Sequence, residues 1–226
     1  MAAATALYRS TIGKKAIMAV TGIILYGFVI VHMIGNLKIF EGPEGFNAYS
    51  HFLRVVGEPA LPAGTLLWLI RIVLLVSVVA HVIAAIQLTR IDTAGRPVAY
   101  QKVRRKQASF ASLTLRWGGL AIFFFVIYHL MHFTVGTAHP QFLKDNPYNN
   151  VVVGFTAQPL AAVAYIVAVA ALATHLFHGV WSATQTLGLN NRRYDALFRG
   201  LALLSAVGLF LGFAVVPVVV LLGIIK

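Results

Sequence analysis

Apolar residues run almost unbroken over about Ala16 to Leu37, Leu66 to Thr89, Leu113 to Val135, Leu160 to Ala183 and Leu197 to Ile225. About 20 such residues cross a bilayer as a helix. The pattern therefore predicts an all-α membrane protein with five transmembrane helices, forming one domain over residues 1–226. Pro217 interrupts the last run and marks a place where that helix can bend. The first run exceeds the apolar core of a signal peptide and no small-residue cleavage motif follows it, so it is expected to remain in the mature protein. The connection from Lys38 to Thr65 is rich in Gly and Pro, with a short helix expected around Phe46 to Val55. The connection from Gly136 to Pro159 carries Pro140, Pro147 and the Asn149-Asn150 pair and reads as loop. Neither is large enough for a separate soluble domain.

Charge gives the helices a direction. Arg9, Lys14 and Lys15 precede the first span; Arg90, Arg96, Lys102, Arg104, Arg105, Lys106 and Arg116 lie between the second and third; Arg192, Arg193 and Arg199 lie between the fourth and fifth. Lys and Arg gather in short cytoplasmic segments, so the N-terminus is expected in the cytoplasm and the C-terminus outside. The net charge of +12 follows these membrane edges, which suits anionic lipid and cytoplasmic partners and argues against nucleic acid.

Composition narrows the chemistry. The 226 residues are 59% hydrophobic and include no cysteine, and the mean hydropathy is +0.83. Without thiolates there is no cysteine-held iron–sulfur cluster, covalent haem attachment or disulfide. Six of the 8 histidines fall inside spans: His32, His81, His129, His132, His175 and His178. An ionisable group in hydrocarbon is costly and points to a function inside the bundle.

Helix rise converts position to depth at about 1.5 Å per residue. His32 lies about 26 Å and His132 about 24 Å from the cytoplasmic edge, whereas His81 lies about 14 Å and His178 about 15 Å from it. This predicts an outer pair, His32 with His132, and an inner pair, His81 with His178, which would suit two non-covalent b haems in a four-helix bundle. His129 and His175 each precede a preferred ligand by three residues and face nearly the same way. They stand as alternative ligands or haem-propionate partners. Arg71 is a further candidate propionate partner, unless it snorkels. His51 and His139 are expected at the surface. A tetrahedral zinc site needs three or four ligands at one depth, and a proton relay usually adds buried acids, which these spans lack.

The residues now resemble a known family over nearly the whole chain. The stretches are Ser10-Thr-Ile-Gly-Lys-Lys15, His32-Met-Ile-Gly-Asn-Leu37, Gly42-Pro-Glu-Gly-Phe-Asn-Ala-Tyr49, His81, Tyr128-His-Leu-Met-His-Phe-Thr134, His175-Leu-Phe-His-Gly179 and Gln185-Thr-Leu-Gly-Leu-Asn190. Their order and spacing resemble the cytochrome b subunit of succinate dehydrogenase or fumarate reductase, of the single-subunit, five-helix, dihaem b558 type. The resemblance implies that the first and third helices hold one haem and the second and fourth the other, carried here by His32 with His132 and His81 with His178. It implies a flavoprotein and an iron–sulfur subunit docked on the cytoplasmic side, menaquinone or another quinone as substrate, and a multi-pass place in a bacterial cytoplasmic membrane. Such a complex is a succinate:quinone oxidoreductase of the tricarboxylic acid cycle, in which this chain takes part in catalysis as a subunit and can join a higher oligomer. Glu58 resembles in position an acid used for proton exchange near the outer haem. The competing readings are the dihaem anchor of another respiratory dehydrogenase and a haem-free transporter or scaffold.

Overall fold

The computed structural model describes residues 10–95 and 110–226; the part of the basic segment that falls in 96–109, with Arg96 to Lys106, lies outside them, as does Arg9. Among the described residues the chain is all-helical, and five helices are long and apolar enough to cross a membrane. It is a multi-pass membrane protein.

Helix α1 spans Thr11–Leu37. Ser10 starts it by accepting the Gly13 N–H at 3.0 Å, which satisfies one of the free donors of the first turn. A 3-10 turn, Lys38–Glu41, leads into α2, Gly42–Val55, somewhat longer than the short helix expected there. Helix α3 runs over Thr65–Ala94. Helix α4 covers Phe110–Leu130 and widens into a π-helical turn, Met131–Val135. Gly136 ends it at φ 86, the left-handed region that glycine enters without strain.

The next connection differs from expectation, because it contains a helix, α5, at Pro147–Thr156. The side chain of Asn146 accepts the Asn149 N–H at 3.1 Å and Pro147 sits in the first turn, so the residues that suggested a loop act together as a helix start. Helix α6 spans Pro159–Thr186 and α7 spans Asp195–Leu221. The last helix passes through the buried Pro217 and stops at Leu221, four residues before the apolar run does.

Helices α6 and α7 pack most extensively; α1 packs on α3, α6 and α7, and α4 packs on α6. Across the bundle, α1 barely touches α4 and α3 barely touches α6. Helices α3 and α4 are likewise apart, although Arg116 Nη2 reaches Asp92 Oδ2 at 2.9 Å at the end near the N-terminus. The tight core lies at the other end, where Ile39, Phe46, Phe155, Tyr165, Val216 and Val220 meet. Helices α2 and α5 cover that end and are tied by Asn47 Nδ2 donating to Asn146 Oδ1 at 3.1 Å and by Arg54 with Asp145 at 3.0 Å. Leu75, Val76, Leu160 and Leu204 face outward at 61% exposure or more, as side chains in contact with lipid tails do.

Candidate functional site: two facing histidine pairs

Between the helices that stay apart, histidine rings reach across. His32 of α1 faces His129 of α4, with ring centres 5.8 Å apart and planes at 80°. Phe28 stacks on His32 at 5.2 Å. Nδ1 of His129 lies 3.2 Å from the hydroxyl of Tyr165 on α6.

Nearer the end that carries the N-terminus, His81 of α3 faces His175 of α6 at 6.3 Å, with planes at 58°. Nδ1 of His81 lies 3.1 Å from Thr21 Oγ1, and the Met18 carbonyl also approaches it. The Leu115 carbonyl approaches His175 in the same manner, yet Nδ1 of His175 has no partner in hydrogen-bond geometry.

Small residues let these rings lie close to backbone. A methyl group on Gly22 would stand 3.4 Å from His81 Cε1, and one on Gly119 would stand 3.6 Å from His175 Cε1. The two halves of the chain therefore repeat one design. The first helix of each half places glycine beside the second helix's histidine. Ten residues later it places its own histidine, His32 or His129, in the other pair. Tyr165, beside His129, is likewise ten residues from His175. Three helices thus agree on a separation of about 15 Å between the two levels.

The structure brings His129 and His175, not His132 and His178, opposite His32 and His81. His132 is fully buried, with Nδ1 3.1 Å from the Tyr165 hydroxyl and its ring 5.2 Å from that of His139. It sits in the π-helical turn. Such a turn holds more residues than an α turn, so the side chain swings less far per residue and misses the direction that a regular helix would give it. Gly154 of α5 closes over it: a Cβ there would stand 3.1 Å from His132 Nε2 and 3.0 Å from His139 Nε2. His178 turns instead to Trp181, 6.3 Å between ring centres.

His139 corrects the expectation of a surface residue. It is buried, accepts the Gln141 N–H on Nδ1 at 3.0 Å and donates from Nε2 to the Asn150 carbonyl at 2.8 Å. His51 is exposed, as expected. Glu58 is exposed beside a cis bond to Pro59. Arg71 lies ten residues from His81, at the level of the His32 pair; it is exposed and its guanidinium sits 5.0 Å from the Trp68 ring. Thr21, Gly22, Gly119 and Tyr165 were not singled out by sequence. For Gly22, Gly119 and Tyr165 the one signal was the ten-residue interval to a histidine; Thr21 carried none.

Two opposed imidazoles can hold a metal from opposite sides. Bound at about 2 Å from one nitrogen of each ring, a metal sets the ring centres about 6 Å apart, and the observed 5.8 and 6.3 Å meet that requirement. Among the described residues no three His, Cys, Asp or Glu side chains form a common metal-binding group. Family models, curated proteins and solved structures yield no match to the chain.

Proposed function

We propose that the chain is the dihaem cytochrome b anchor of a succinate:quinone oxidoreductase, passing electrons between an iron–sulfur subunit and membrane quinone. The observation that carries the reading is the pair of facing imidazole couples, each drawn from two helices that otherwise stay apart. Haem would be held by one couple at each level, His32 with His129 and His81 with His175, and so suits pairs of imidazoles where a cage of three or four ligands would not form. Haem, when bound, supplies reversible one-electron transfer. His32 with His129 and His81 with His175 are the residues assigned to hold it, in preference to His132 and His178.

The protein's own part is positional. Thr21 and Tyr165 occupy Nδ1 of His81 and His129, leaving Nε2 of each for the metal, an outer partnership that fixes ring orientation. Gly22 and Gly119 keep side chains away from the inner level. Phe28 and Phe213, which flank His32, supply apolar surface and exclude water. The resemblance of the motifs supports succinate:quinone chemistry, with a flavoprotein and an iron–sulfur subunit on the face where α1 begins. Positive charge on that side supports its cytoplasmic placement in a bacterial membrane. Quinone, with menaquinone the expected type, is the membrane substrate, and Glu58 and Arg71 stay assigned to proton exchange and propionate pairing.

Purification in mild detergent tests this. The expected result is two haems per chain, a sharp bis-imidazole band in the reduced-minus-oxidised spectrum, and co-purification of two soluble subunits with succinate dehydrogenase activity. A haem-free preparation would instead favour a transporter or scaffold, and different partner subunits would favour the anchor of another respiratory dehydrogenase.

A further inference from the structure

Tyr165 presents one hydroxyl to two histidines three residues apart. Its oxygen lies 3.2 Å from Nδ1 of His129 and 3.1 Å from Nδ1 of His132. A phenol carries one hydrogen and a neutral imidazole carries one N–H. Tyr165 is buried and its hydroxyl has no other partner among the described residues, so its hydrogen goes to one imidazole, which accepts it, while the other imidazole donates to the oxygen. The two rings must therefore be opposite tautomers.

We propose that Tyr165 is a positioning residue that makes His129 the haem ligand and bars His132 from that role. The inference rests on the dihaem reading and deepens it. His129 faces His32, and its Nδ1 is turned to Tyr165, so Nε2 is the nitrogen left for iron. A ligating Nε2 offers its lone pair, which places the hydrogen on Nδ1, and that hydrogen goes to the Tyr165 oxygen. The hydroxyl hydrogen of Tyr165 then goes to Nδ1 of His132. His132 must keep its own hydrogen on Nε2, which is buried without a partner beneath Gly154. Neither nitrogen of His132 is then open to a metal: Nδ1 accepts from the tyrosine, while Nε2 is protonated and covered.

A purely packing role for Tyr165 is the competing account, since the rings of Phe125 and Phe155 lie 4.9 and 5.1 Å from it. Two measurements separate the accounts. In the native protein, reduced so that both haems are diamagnetic, ¹⁵N NMR of labelled histidines is expected to find His132 neutral, protonated on Nε2 and accepting on Nδ1. A hydrogen on Nδ1 of His132 would overturn the proposal while leaving two haems in place. In Tyr165→Phe, two haems are expected, with the potential of one moved in the positive direction because its ligand has lost an acceptor for Nδ1–H. Two unchanged potentials would likewise overturn it. If that variant does not fold, the native spectrum decides. A native chain without haem would remove the dihaem reading and this inference together.

Discussion

Thr21 Oγ1 lies 3.1 Å from Nδ1 of His81, and the same hydroxyl is directed at the Ile17 carbonyl at 2.7 Å. A threonine hydroxyl has one hydrogen. With that hydrogen given to Ile17, the contact with His81 works only when the imidazole donates. The tautomer is thereby set with Nε2 free.

Replacing Thr21 by Val keeps the shape of the side chain and deletes the acceptor. The expected outcome is a drop of about tenfold in haem affinity at the His81 level, with the other level unchanged. Titration of haem into the haem-free protein, followed by absorbance, measures both. Equal affinities for wild type and variant would show that Thr21 has no part in orienting the ring.

Single alanine substitutions distinguish the neighbouring histidines. His129→Ala and His175→Ala should each leave one haem per chain, while His132→Ala and His178→Ala should keep two. His132→Ala should also destabilise the protein by about 2 kcal/mol, because a fully buried side chain leaves a cavity. Pyridine haemochrome stoichiometry reads the first result and thermal unfolding in detergent the second. The reverse stoichiometry would restore the pairing expected from helix rise.

Gly22→Leu and Gly119→Leu place a branched side chain against the rings of His81 and His175. Leucine favours helix over glycine, so circular dichroism should be unchanged. Haem content should fall from two to one in either variant. Two haems in both would show that the inner slot does not depend on these glycines.

Gly154→Val tests the cover over His132. The added Cβ would meet His139, His132 and Phe133 at 3.0 to 3.1 Å, and overpacking of this degree costs about 1–3 kcal/mol. A lower unfolding temperature is expected, with faster proteolysis in α5. An unchanged transition would mean that α5 shifts at no cost.

The five long helices were legible because hydrocarbon demands some 20 apolar residues each, and the histidines stood out because such runs rarely contain them. Resolution failed at finer scale. Residues 129 and 132, three apart, share a face in a regular helix, and the π-helical turn that separates them leaves no mark in the pattern. Helix α5 was hidden because Asn146 and Pro147 serve loops and helix starts equally well. Tyr165 and Thr21 looked like polar residues tolerated in a span, and their meaning depends on partners 33 to 60 positions away.

Each facing pair takes one ring from α1 or α3 and the other from α4 or α6. Neither hairpin made alone can complete a couple at either level. On the dihaem reading, the couple of His32 with His129 would therefore wait for the third span and that of His81 with His175 for the fourth, and a chain severed between Ala94 and Phe110 should regain its haems only when both fragments share a membrane. The porphyrins would then act as rivets between two hairpins rather than as cargo within one.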